Sequence, residues 1–126
     1  MKTKKLTFLL ALTFLFLFSG SSVVFADDFQ DGFDAYNRKD YKTAYKLWLP
    51  LAEQGDASAQ FNLGSMYSNG LGVPQDYVLA HMWINLAASN GDEDAIEKRT
   101  MVEKKMSPSQ IEEAQRLARN WKPTKK

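Results

Sequence analysis

Residues 59–77 read Ala59-Gln60-Phe61-Asn62-Leu63-Gly64-Ser65-Met66-Tyr67-Ser68-Asn69-Gly70-Leu71-Gly72-Val73-Pro74-Gln75-Asp76-Tyr77, and this stretch decides the fold. Ala59, Leu63, Met66 and Tyr67 recur at helical spacing with Gly64 on the same apolar side, which predicts a helix from Ala57 to Asn69. Gly70 stops it, and Asp76 opens another, from Tyr77 to about Ser89, with Ala80, Trp83, Ile84, Ala87 and Ala88 on one face. Small residues at Gly64, Ala80, Ala87 and Ala88 allow the two backbones to approach, with Tyr67 and Trp83 filling the space left over. The glycines between the helices lack the Lys-Ser/Thr ending and the preceding strand of a phosphate loop, so they read as a tight connection.

Working outward, the same text recurs. Asp40-Tyr41 falls on Asp76-Tyr77 at an offset of 36 residues, and Ala44 then falls on Ala80, Ala52 on Ala88, Gly55-Asp56 on Gly91-Asp92 and Ala59 on Ala95. Phe29 and Gly32 match Phe61 and Gly64 once the first unit is given a loop four residues shorter. Asp40, Asp56, Asp76 and Asp92 each stand where a carboxylate can accept the free N–H groups of a helix start. The chain is a tandem array of helix pairs, and one pair cannot bury both its faces without a neighbour. Pro50 interrupts the helix expected over Tyr41 to Glu53, where a bend near Lys46 would relieve its clash.

The ends differ from the middle. Lys2, Lys4 and Lys5 precede an apolar run from Leu6 to Phe18, broken by Ser19-Gly20-Ser21-Ser22 and followed by Val24-Phe25-Ala26. This is the pattern of a signal peptide over residues 1–26, too short in its apolar part for a membrane span of about 20 residues. Cleavage after Ala26, or retention as an anchor, are the two outcomes; export to the periplasm or beyond, in a Gram-negative envelope, is expected, without stable membrane insertion after cleavage. Residues 27–126 then form the helical repeat domain: a diverged unit at 27–56, a complete one at 57–92, and a degenerate unit with a capping helix at 93–126. In that last part Glu97, Arg99 and Thr100 replace Phe61, Leu63 and Gly64 and make a packing face polar. Ser107-Pro108-Ser109-Gln110 opens a further helix with a capping box, and Ile111, Ala114, Leu117, Ala118 and Trp121 give it an apolar stripe to lay over the array.

Composition excludes more than it assigns. There is no cysteine, so no disulfide framework, thiolate metal site or cysteine nucleophile is available. The formal charge of +1 becomes −2 when the three leader lysines are removed, leaving 13 basic and 15 acidic residues. Neither balance suits a nucleic-acid binder. His81 is the one histidine, its neighbour a helical turn away is Asn85, and neither a metal set nor a Ser-x-x-Lys nucleophile accompanies it. It reads as a packing or surface residue. No catalytic residue, metal or cofactor is expected.

The run from Ala59 to Tyr67, the loop Tyr67-x-x-Gly70-x-Gly72-Val73-x-x-Asp76, and Tyr77, Ala80, Trp83, Ala87-Ala88 and Gly91-Asp92 resemble the Sel-one-like repeat (SLR) family, a branch of the tetratricopeptide superfamily. His81-Met82 departs from the polar pair usual before the tryptophan, and two units are few for this family. The resemblance implies an all-α fold, a short α-solenoid of antiparallel helix pairs with a C-terminal capping helix. It also implies a protein-binding adaptor, whose first helix in each pair lines the concave groove. On this sequence those positions are Phe33, Tyr36 and Asn37 in the first unit and Asn62, Ser65, Ser68 and Asn69 in the second, with Phe29 and Phe61 beside them. Phe29 and Phe33 serve equally well as a cover for the open end of the array. The expected partner is a protein or peptide, or an envelope polymer, held by a monomer. A small envelope hydrolase of β-lactamase-like type, using His81 and a carboxylate brought near by folding, and a secreted inhibitor or effector are the alternative readings.

Overall fold

The structure, a computed structural model, describes residues 27–124; the leader assigned to residues 1–26 and the tail at Lys125-Lys126 lie outside it. Within it the chain forms α1 (27–37), α2 (Tyr41–Glu53), α3 (Ala57–Asn69), α4 (Tyr77–Ser89), α5 (Asp94–Glu103) and α6 (Pro108–Asn120), with no strand among the described residues. This is an all-α helical repeat solenoid.

Aspartates place the helix starts. Asp40, Asp56 and Asp76 accept the backbone N–H groups of Thr43, Ala59 and Leu79 at 3.3, 2.8 and 3.0 Å. Asp92 does the same for Asp94 and Ala95, at 3.0 and 3.2 Å, one residue ahead of its expected place. Hydrogen bonding to its carboxylate, first from Thr43, holds the Asp40 pKa below 3.8. Ser107 and Gln110 close the expected capping box on α6, with Pro108 at its first turn. Helix α2 runs unbroken through Pro50, which lies on an exposed face near its end.

Close approach of backbones defines each pair. A Cβ on Gly64 would overlap the Ile84 side chain and come within 3.0 Å of the Ala80 carbonyl oxygen, so α3 and α4 touch at a point that only glycine permits. One repeat earlier Gly32 meets the Trp48 ring in the same way. Trp48 and Ile84 are 36 residues apart, so both units use one crossing with different partners. The connection after α3 depends on Gly72, whose φ of 75° and contact with the Tyr41 carbonyl leave no place for a side chain.

The core runs through both units. Ala44, Trp48, Leu51, Ala52, Leu63 and Met66 join Met82, Trp83 and Leu86, with Leu117, Ala118 and Trp121 of the last helix packed against them. Ala80, Ile84, Ala87, Ala95 and Val102 form a second cluster that seats α5 on α4. Gln60 is fully buried, donating to the Ala52 carbonyl at 3.0 Å and accepting from the Asn90 amide at 3.0 Å, so one side chain pins the ends of α2 and α4. Helix α6 lies on α4, and Trp121, just past its end, stands edge-on to Trp83 at 6.3 Å. Beyond it the Thr124 N–H reaches the Glu53 carbonyl at 2.8 Å, tying the end of the array back to α2.

Candidate functional site

Helices α1, α3 and α5 are the first members of successive units, and hollows lie along the seams between them. The α1–α3 seam holds one of about 240 Å³, lined by Phe33, Tyr36, Asn37, Trp48, Phe61, Asn62 and Ser65. Its aromatic walls are rigidly supported. Trp48, 2% exposed, donates from its indole N–H to the Phe29 carbonyl at 3.1 Å, and Phe33 stands edge-on to it at 5.8 Å between ring centres. Tyr36 packs on Tyr41 at 5.1 Å and on Trp48 at 5.9 Å. Phe33 nevertheless keeps 42% of its surface exposed. It therefore covers the end of the core and presents an apolar face together. Asn62, which lines the same hollow, has a buried side-chain N–H2 group with no acceptor.

Five of the seven groove positions named from the sequence, Phe33, Tyr36, Asn37, Asn62 and Ser65, thus share one cavity. Ser68 and Asn69 do not join them. They line a separate hollow of about 160 Å³ further along α3, with Lys98, Met101, Val102 and Lys105. A third, at the start of α5, is lined by Phe61, Asp94, Glu97, Lys98 and Met101. Phe61 belongs to the first and third, Met101 to the second and third, so the hollows are linked across the three helices. Met101, 53% exposed, lines these hollows with Lys98, Val102 and Lys105, and none of the four was marked in the sequence as facing α3. Arg99, in the place of Leu63, makes the α5 sequence read as polar although Met101 lies two residues on. Arg99 itself turns to α4 and donates to the Asn85 side-chain oxygen at 2.6 Å.

His81 is entirely buried, with Nε2 2.8 Å from Oε1 of Glu103 and Nδ1 without a partner. The sequence offered no sign of this pairing, since the residues lie 22 positions apart on different helices. A general base must come within hydrogen-bond reach of its substrate. A ring with no exposed surface does not meet that condition unless α5 moves, so the pair serves to fasten α5 to α4. Among the described residues no group of three His, Asp or Glu side chains is arranged to hold a metal ion. No described helix is long and apolar enough to cross a membrane. Behind the groove, the Tyr45 and Tyr67 hydroxyls meet at 2.9 Å, and burial together with this bond pushes the Tyr67 pKa up.

The comparisons with known proteins agree with this geometry. The Sel1 repeat family model matches residues 29–56 and 57–92. Among solved structures, a protective antigen of uropathogenic Escherichia coli strains with an SLR fold superposes with a TM-score of 0.71 and 34% sequence identity, over 77% of this chain and 22% of that one. The chain thus spans about a fifth of the length of that antigen, which it resembles over its repeats. Two adjoining repeats, each with its glycine crossing and aspartate caps, make this chain a member of the Sel1 repeat family.

Proposed function

We propose that this protein is an exported interaction scaffold of the cell envelope, acting as a monomer that holds a peptide or protein surface against the face formed by α1, α3 and α5. The observation that carries the reading is the α1–α3 hollow, where four aromatic rings, two side-chain amides and a hydroxyl line one cavity of about 240 Å³. Rigid aromatic surface beside side-chain amides and a hydroxyl is a combination that anchors polypeptide partners. Membership of a repeat family whose members are mostly non-catalytic binding adaptors supports it. So does the enclosure of His81, which leaves the hydrolase reading without a reachable base. Export rests on the Lys-rich start and apolar run of residues 1–26. An envelope polymer as ligand, and an inhibitor or effector role outside the cell, are outcomes that the experiment separates.

The test is affinity capture from envelope extracts with the wild-type chain, Phe33→Ser and Asn62→Ala. A partner retained by the wild type and lost from both variants, with helicity unchanged, is the expected result. Equal retention by all three would place binding elsewhere on the molecule. Capture of glycan in place of polypeptide would replace the ligand class.

A further inference from the structure

The groove changes character toward the ends of α3 and α5. Its α1–α3 part is aromatic, but the hollow of about 160 Å³ formed by Ser68, Asn69, Lys98, Met101, Val102 and Lys105 brings two lysines to one cavity. Lys98 and Val102 stand one turn apart on α5 and Lys105 follows in the turn just past its end, so the two lysines flank an apolar floor. Neither lysine has a carboxylate within ion-pair distance among the described residues. The acids nearest them in sequence are placed otherwise. Glu103 is turned to His81 at 2.8 Å, and Asp94 and Glu97 line the neighbouring hollow at the start of α5. The Lys105 ammonium lies 5.8 Å from the centre of the Tyr77 ring, a cation–π contact that steadies its position.

Two lysines at one small hollow give it a positive potential with no acid to balance it, which an anion entering there would offset. We infer that this hollow is an acidic-residue subsite of the groove, which receives a carboxylate side chain of a bound peptide. Lys98 and Lys105 supply the charge, while the Ser68 hydroxyl and Asn69 amide supply further hydrogen-bond donors. Met101 and Val102 give the peptide's adjoining aliphatic part an apolar surface, which a bare inorganic anion would not use. The hollow at the start of α5 shares Lys98 but adds Asp94 and Glu97, so its balance is negative; it disfavours a second acid and so orients the peptide along the helix. The inference rests on the groove reading above and adds to it the chemistry and direction of the ligand.

A random heptapeptide library selected on the immobilised chain tests it. Peptides chosen by the wild type should be enriched in Asp or Glu beside apolar residues. Their Gln or Asn analogues should bind about tenfold more weakly at low salt, the loss that one charge-assisted contact of about 1.4 kcal/mol represents. The Lys98→Gln/Lys105→Gln variant should select without acidic preference, and Lys98→Arg/Lys105→Arg should recover it. An acidic preference that survives Lys98→Gln/Lys105→Gln, or wild-type peptides without acids, overturns the subsite while leaving the groove standing. If Phe33→Ser binds the selected peptides as well as the wild type does, the groove reading fails and this inference with it. Competition by inorganic phosphate at concentrations equal to those of the peptide would replace the peptide with a simple anion.

Discussion

Gly64→Ala tests the geometry on which the array depends. The new methyl would overlap the Ile84 side chain and stand 3.0 Å from the Ala80 carbonyl oxygen. Ile84 is fully buried, so its side chain has little room to turn away, and the carbonyl belongs to the α4 backbone. Overpacking of this kind costs about 1–3 kcal/mol, whereas alanine in place of a mid-helix glycine returns about 1 kcal/mol of propensity. With a backbone atom among the obstacles the cost falls in the upper part of that range, for a net loss of about 1–2 kcal/mol. In a domain of this size each kcal/mol lowers the melting temperature by about 4–8 °C. Thermal and urea unfolding of Gly64→Ala, Ile84→Ala and the double variant measure the effect. Ile84→Ala alone should cost about 2–5 kcal/mol through its cavity. In the double variant the added methyl occupies part of that cavity, so the summed loss should fall short of additivity by about 1 kcal/mol or more. Additivity within about 0.5 kcal/mol, or a melting temperature raised by Gly64→Ala alone, would refute the close crossing.

Three further expectations concern the polar groups that fix the helices. Gln60→Leu removes the donor to the Ala52 carbonyl and the acceptor of the Asn90 amide, and should cost about 1–3 kcal/mol in urea unfolding. Glu103→Ala leaves the His81 ring with neither nitrogen bonded; amide exchange in α5 should quicken more than in α3, and uniform protection would contradict the fastening role. The Asp40 pKa is lower folded than its ordinary 3.8, so its contribution to stability is present above pH 3.8 and is lost as the pH falls through the lowered value. Asparagine also caps helices but does not titrate, so a deficit of Asp40→Asn at pH 6 should shrink progressively as the pH is taken below 3.8 in paired unfolding curves.

The elements that local chemistry decides were legible without a structure. The bounds of α3 and α4 follow from aspartate caps, stopping glycines and a 3.6-residue apolar period, all carried in short stretches of chain. The capping box of α6 is likewise complete within Ser107 to Gln110. That Phe33, Tyr36, Asn37, Asn62 and Ser65 would come together at one hollow was legible because repeats place equivalent side chains on equivalent faces. What stayed hidden depends on contacts between distant residues. Glu103 meets His81 only after α5 docks on α4, and the docking is directed by Ala95 and Val102, which carry no marker of their own. Arg99 looked like a solvent-facing replacement for leucine because its acceptor, Asn85, belongs to another helix. Met101 and the paired lysines became groove residues for the same reason, since the face that α5 shows to α3 depends on packing that its weakly apolar sequence does not announce.

If the face of α1, α3 and α5 is where partners bind, contacts there and not on α2 will be captured in the cell. A photo-crosslinking amino acid installed in the expressed protein at Ser65, at Asn37, and at the exposed α2 position Lys42 compares that face with the back of the array. The expected result is a discrete polypeptide adduct shared by Ser65 and Asn37 and absent from Lys42. An adduct from Lys42, with none from Ser65 or Asn37, would contradict it.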